Sequence, residues 1–232
     1  MEQQFESFRQ QLDESVVVRE QLRSIVSDLD SAIRLMHAAL LPLYHHSSIE
    51  AIHKAKGHIS EFQRLYTKLG EVLKSCPGEY YRYHDHWRNQ TQQVIFLLSF
   101  VNWLEFGNLL SHGEVESLLD LQQKEFFVDL EDYLIGLCNM SNELPRYVVN
   151  QVTAGIYDCP KRVSLFLSDL YAAFRILNLR NDFLRKRFDG IKYDLKKVEE
   201  VLYDVQIRGL LNTSSQLAST VQPSTDELMQ LQ

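Results

Sequence analysis

An all-α protein is what this sequence predicts, on three observations. Its 232 residues include only 9 Gly and 5 Pro, too few to punctuate a chain of short strands. Apolar residues make up 45% of the chain, enough for a substantial core. They recur in steps of three and four, and runs that alternate polar and apolar are hard to find. No linker or internal repeat divides the chain, so residues 1–210 read as one helical domain of seven helices. Residues 211–232, rich in Ser, Thr and Gln, read as a disordered tail.

The first helix runs from about Phe5 to Leu43, with Leu12, Val16, Arg19, Leu22, Ile25, Val26, Leu29, Ile33, Met36 and Leu40 mostly in three- and four-residue steps. Pro42 and the cluster from Tyr44 to Ser48 end it. Ser48 caps a second helix reaching Lys74, its inner face carrying Ile52, Ala55, Ile59, Phe62, Leu65, Leu69 and Val72. Cys76-Pro77-Gly78 breaks the chain before a third helix, from about Glu79 to Leu110. A short fourth begins at Ser111-His112-Gly113-Glu114 and ends near Lys124. The fifth spans about Val128 to Ala154, where Pro145 is expected to kink it or force a local break. A sixth, from Val163 to Leu177, follows Asp158-Cys159-Pro160. Asn181–Asp182 reads as the cap of a seventh, which continues to about Arg208.

A formal charge of −7 argues against coating nucleic acid through bulk positive charge, yet leaves room for local basic patches. Cys76, Cys138 and Cys159 are widely spaced and form no CxxC pair, so buried, reduced thiols in an intracellular protein are expected. Neither a secretory signal nor an apolar stretch long enough to span a bilayer is evident, and a soluble protein with no membrane association is expected.

The run Tyr80-Tyr81-Arg82-Tyr83-His84-Asp85-His86-Trp87-Arg88 interleaves aromatic and basic side chains. Bases of a single strand stack on π faces while cations meet phosphates, so this composition suits single-stranded RNA or DNA. On one continuous helix, Arg82 and His86 lie a turn apart, as do His84 and Arg88, with Tyr83 and Trp87 between them. Helix 2 adds His53, Lys54, Lys56, His58 and Arg64. The bland alternative is that these aromatics are core and the cations merely solvated.

Leu170, Leu177, Leu184, Ile191, Val198 and Val205 recur every seven residues. That period marks either a seam between subunits or the buried stripe of an ordinary bundle. Arg185, Lys186, Arg187, Lys192, Lys196 and Lys197 lie on the other face, partly offset by Asp189, Asp194 and Glu199; they are a solvated, charge-paired face or contact phosphate.

Metal-dependent phosphodiester cleavage needs clustered carboxylates around Mg²⁺. Asn102 and Glu105 on one helix and Asn139 and Glu143 on another could converge, but only two of the four are charged. An inert polar cluster is the favoured reading, with no resident metal or cofactor, and Mg²⁺ only if residual nuclease activity exists. Glu131 and Asp132 read as a solvated helix start. Val152-Thr153-Ala154-Gly155 lacks the Lys-Ser/Thr of a phosphate-binding loop.

The Tyr80–Arg88 run, Glu131-Asp132-Tyr133-Leu134, Val149-Asn150-Gln151-Val152-Thr153-Ala154-Gly155 and the block Leu177–Gly209 closely resemble the translin family, in order and spacing over about residues 5–210. The resemblance implies a seven-helix protomer of a hollow octamer that binds single-stranded RNA and DNA. By the same resemblance Lys54, Lys56, His58, Arg64, Arg82, His84, His86, Trp87 and Arg88 contact nucleic acid. Leu177, Leu184, Ile191, Val198 and Val205 carry assembly contacts. The family also forms a mixed octamer with translin-associated factor X, an endoribonuclease that removes passenger strands in RNA silencing and processes tRNA fragments, in cytoplasm and nucleus.

That catalytic paralogue carries Glu-x-x-Glu and Asp-x-x-x-Glu where this chain has Asn102, Glu105, Asn139 and Glu143. The resemblance therefore implies a non-catalytic, nucleic-acid-binding subunit. The alternative is a weak metal-dependent ribonuclease using Glu105 and Glu143. A purely structural adaptor fits the periodicity equally well but leaves the Tyr80–Arg88 run unexplained.

Overall fold

Four long helices running in one direction organise the chain, and their contacts explain where the sequence-level boundaries shift. The computed structural model describes residues 1–44, 49–121, 125–180 and 183–211. The expected Ser48 and Asn181–Asp182 caps, and all but the first residue of the expected tail, lie outside them. Helices α1 (Glu2–Leu40), α2 (Ile49–Lys56), α3 (Ile59–Lys74), α4 (Tyr80–Tyr83), α5 (Arg88–Phe106), α6 (His112–Leu118), α7 (Leu130–Thr153), α8 (Cys159–Ile176) and α9 (Phe183–Ile207) follow in order. No strand occurs among the described residues. None of these helices is long and apolar enough to cross a membrane.

Two of the seven expected helices are divided. The second breaks at Gly57–His58, where His58 N–H reaches the Ala55 carbonyl (3.0 Å) three residues back, and α3 starts afresh at Ile59. A glycine there weakens the helix interior and makes the break inexpensive. The third is interrupted by a 3₁₀ turn over His84–His86 before α5 begins. Helix α5 stops at Gly107, whose φ of 73° and N–H bond to the Trp103 carbonyl (2.8 Å) form a left-handed C-terminal cap. The expected extension to Leu110 is therefore not helical. Helix α6 starts on a full capping box between Ser111 and Glu114 but ends at Leu118, earlier than the expected Lys124.

Helix α7 is the centre, with α5 on one side and α9 on the other. A Cβ added at Gly136 would lie 2.5 Å from Ile95 Cγ2 and 3.1 Å from the Gln92 carbonyl, so only glycine admits α5 this closely. Further along, Trp103 meets Tyr147, so α5 and α7 run parallel. Asp194 of α9 meets Ser141, and Gln90 of α5 bonds Asp30 of α1 (3.2 Å). Gln151 near the end of α7 donates to the Leu43 carbonyl just past α1 (2.8 Å). Helix α7 continues through Pro145 without the expected break. Pro145 is buried in a helix that packs against α5 on one side and α9 on the other, and that packing offsets the bond its missing N–H forgoes.

The seven-residue stripe belongs to this core. Leu170, Leu184, Ile191, Val198 and Val205 are buried within the protomer, where α9 packs on α7 and α8. Placing an intersubunit seam on them is corrected by that burial; of the expected residues only Leu177 is exposed. The outward face of α9 instead carries Tyr193, Tyr203 and Ile207. On α1, Leu12, Val16 and Arg19 are exposed and only Ser15 is buried before Leu22, so the buried apolar stripe begins at Leu22.

Candidate nucleic-acid interface

The Tyr80–Arg88 run is half core and half surface. Trp87 is 0% exposed, and Tyr80, Tyr83 and His84 are also buried. Tyr80 stacks on Phe127 (centroids 4.0 Å apart) and meets Trp87 and Phe126 edge-on. Its hydroxyl donates to the Phe127 carbonyl (2.8 Å). Trp87 therefore offers no free face on which a base could stack.

Asp132 explains why the helix yields at His84. Its carboxylate is 0% exposed, which corrects the expectation of a solvated helix start. It lies 2.6 Å from His84 Nε2 and accepts from Gln92 Nε2 (2.8 Å) and Arg88 Nε (3.3 Å). Arg88 also donates to Glu131 (2.8 Å). A buried charge is tolerated only when so paired. His84 and Arg88 are thus engaged inward and do not form the outward basic pair expected of one continuous helix.

The remaining expected cations lie at the surface. Arg82 pairs with Glu79 (2.8 Å) and sits over the Tyr83 ring; Lys56 pairs with Glu105 (2.8 Å), and Arg64 with Glu61. Exposed pairs of this kind contribute little, so a phosphate competes with the carboxylate. Lys54 is exposed and has no carboxylate partner among the described residues. His58 and His86 are half-buried. Burial first, then Arg23 and Arg19 of α1, hold His86 below the ordinary imidazole value of 6.5. Those two exposed arginines sit one helical turn apart beside the run. Sequence reasoning missed them, taking Arg19 for part of the inner stripe, although a cation at an apolar position was itself a signal.

The four positions considered for metal do not share one site. Asn102 Nδ2 donates to the Asn108 carbonyl and side chain (3.1 and 2.9 Å), and Glu105 is held by Lys56. Asn139 and Glu143 line a separate cleft between α1, α5, α7 and α9, with Glu143 paired to Arg146 (3.4 Å). Among the described residues no cluster of three or more His, Cys, Asp or Glu could hold a metal. The three cysteines are free thiols; burial pushes Cys138 and Cys159 up to about 12, so neither is a ready nucleophile.

Comparison with known proteins places this arrangement. The family model described as the translin family matches residues 17–209. Translin of Gallus gallus is 40% identical over 201 residues, covering 83% of this chain and 86% of its own length. Translin of Homo sapiens is 41% identical over 200 residues, with the same shares of 83% and 86%. Translin-associated protein X of Mus musculus is 25% identical over 254 residues, covering 97% of this chain and 85% of its own. Among solved structures, apo-NeC3PO shares the fold with a TM-score of 0.67 at 18% identity, over 84% of this chain and 95% of that one. AfC3PO bound to duplex RNA does so with a TM-score of 0.65 at 15% identity, over 88% and 97%.

Proposed function

Because the chain belongs to the translin family, we propose that it binds single-stranded RNA and DNA as the non-catalytic subunit of an endoribonuclease assembly. In this reading it joins copies of itself, and copies of a translin-associated factor X partner, in a hollow octamer. The roles that follow are passenger-strand removal in RNA silencing and tRNA-fragment processing, in cytoplasm and nucleus. Likeness to a protein solved with duplex RNA supports a scaffold suited to nucleic acid.

One observation carries the non-catalytic assignment. Two amides stand among the four candidate metal positions, and the two remaining carboxylates are held by Lys56 and Arg146. Mg²⁺ dehydrates reluctantly and is not drawn to such a set. The binding surface in this reading centres on Arg82 and His86 together with Arg19 and Arg23. Lys54, Lys56, His58 and Arg64 extend it.

The test is anisotropy of a labelled single-stranded RNA with the purified chain at low and high salt, with cleavage followed in Mg²⁺. Salt-sensitive binding without cleavage is expected, with a loss of about tenfold or more when Arg19, Arg23 and Arg82 become Ala together. Metal-dependent cleavage that disappears in Glu105→Ala would instead make the chain an enzyme. Unchanged affinity in the triple variant would move the binding surface elsewhere.

A further inference from the structure

We propose that residues 1–12, the start of α1, form an arm that pairs antiparallel with the same arm of a second copy of this chain. The inference concerns how copies join and stands apart from the nucleic-acid reading.

The arm carries an apolar stripe that its own protomer does not cover. Residues 1–14 are exposed throughout, and among them Met1, Phe5, Phe8 and Leu12 are exposed by 97%, 64%, 46% and 64%. These four follow in steps of four, three and four residues, which sets them on one side of the helix. The same stepping runs on through Ser15 and Arg19 into Leu22, Val26, Leu29, Ile33, Met36 and Leu40, the stripe that the core takes up. Cover within the protomer stops at Ser15, which is buried and shares a cleft with Cys76 and Pro77. Its hydroxyl donates to the Leu12 carbonyl (2.8 Å), so this polar residue is satisfied on its own helix. Beyond it, Phe5 and Phe8 meet each other edge-on (5.9 Å). A helical stretch of this length draws most of its stability from packing, and here the packing has to come from outside the protomer.

Pattern and charge together name the occupant. When two arms lie antiparallel with Phe5 of one beside Phe8 of the other, Met1 comes level with Leu12, and every layer of the seam is apolar. The overlap ends before the polar Ser15 and Arg19. On one flank Glu2 then faces Arg9 of the second copy, and Arg9 faces its Glu2. On the other flank Gln4 faces Gln11. A two-fold contact demands this reciprocity, in which the residue that meets a partner is met in turn by the same pair reversed. A parallel pairing sets Gln4 against Arg9 and gains no ion pair, so the flanking charges choose the antiparallel arrangement. Arg9 is free to take part: its bond to Glu6 (2.6 Å) is an exposed pair within one helix and is worth little. An overlap of about 17 Å is short, so the contact works beside another one within an assembly. Its loss then divides the assembly and leaves the protomer folded.

The experiment uses the full chain and three measurements. Light scattering of Phe5→Glu/Leu12→Glu is expected to give a mass lower by about half or more, with cooperative thermal unfolding retained, because neither side chain packs in the core. Glu2→Arg brings like charges together on both sides of the two-fold axis and is expected to shift the dilution midpoint of the assembly about tenfold. Glu2→Arg/Arg9→Glu restores opposite charges and is expected to return the midpoint to within about twofold of the wild type. Mixing Phe5→Cys chain with Phe8→Cys chain under mild oxidation is expected to give a disulfide-linked pair in excess of either chain alone, with the wild type and its three free thiols as background. A wild-type chain that scatters as a monomer would overturn the pairing, as would an unchanged mass in Phe5→Glu/Leu12→Glu. Cross-linking as strong in Phe5→Cys alone as in the mixture would make the arms parallel and overturn it as stated. So would a Glu2→Arg midpoint within twofold of the wild type, or one that the second reversal fails to recover. None of these results touches single-strand binding, which the anisotropy of the Arg19, Arg23 and Arg82 variant tests separately.

Discussion

Asp132 has no access to water, yet three donors from the 3₁₀ turn and α5 converge on it. Replacing it with Ala removes the carboxylate that His84, Arg88 and Gln92 share and leaves their polar atoms under-bonded. Breaking such a buried pair costs about 3–5 kcal/mol. Urea denaturation at fixed protein concentration is expected to show that loss, with Asp132→Asn intermediate; a change below about 1 kcal/mol would mean that water replaces the network. His86 provides the titrating counterpart. Its folded value lies below 6.5, so its contribution to stability is complete above the unfolded value and declines as pH falls below it. A bound phosphate offsets Arg19 and Arg23 and raises His86 again. Single-strand affinity is therefore expected to increase as pH falls from 7.5 towards 6, and anisotropy of His86→Gln is expected to show a flatter profile. Asp132 was legible in principle, because it lies in phase with Ile135, Gly136 and Met140 on the buried face of α7. Its charge concealed it. The aromatic-basic run misled for the complementary reason: composition does not say which rings a distant carboxylate will draw inward.

Among the elements, α7 sets the spacing. Gly136→Ala gains helix propensity of roughly 1 kcal/mol but drives a methyl group into Ile95 and towards the Gln92 carbonyl. Overpacking of this sort costs about 1–3 kcal/mol, so net destabilisation is expected. Ile95→Ala in the same chain is expected to return part of that loss, a coupling that a double-mutant cycle measures. A more stable Gly136→Ala would mean that α5 moves away freely. Helices were legible here wherever apolar periodicity persisted, as over Phe62–Leu73 and Leu184–Val205. Their ends were less so. Gly57 and Gly107 divide or stop helices whose periodicity runs on, and Pro145 fails to break one clasped on both sides. The seven-residue stripe of α9 was correct as a periodicity, but a period cannot name the partner, and here α7 and α8 fill that place.

At the scale of the whole molecule, the protomer leaves large apolar side chains in water at its outer helices. Tyr203 and Ile207, 63% and 65% exposed, lie one turn apart on α9, with Tyr193 on the same outward face. Phe5, Phe8 and Leu12 are exposed along the first turns of α1. Apolar surface of this extent is what an assembling protein covers with its neighbours. In the hollow assembly proposed above, a chain with a net charge of −7 would turn its cations inward while carboxylates keep the exterior apart. If the outward face of α9 is a contact between subunits, Tyr203→Lys/Ile207→Lys introduces unpaired charges into a surface that excludes water. The mass by light scattering is then expected to fall by at least about half, with helicity by circular dichroism retained. The buried stripe responds differently: Val198→Ala removes packing within the protomer and is expected to lower thermal stability by about 1–3 kcal/mol without changing the mass. An unchanged mass in the Lys variant would move assembly to α1, and the same measurement on Phe5→Lys/Leu12→Lys would decide it.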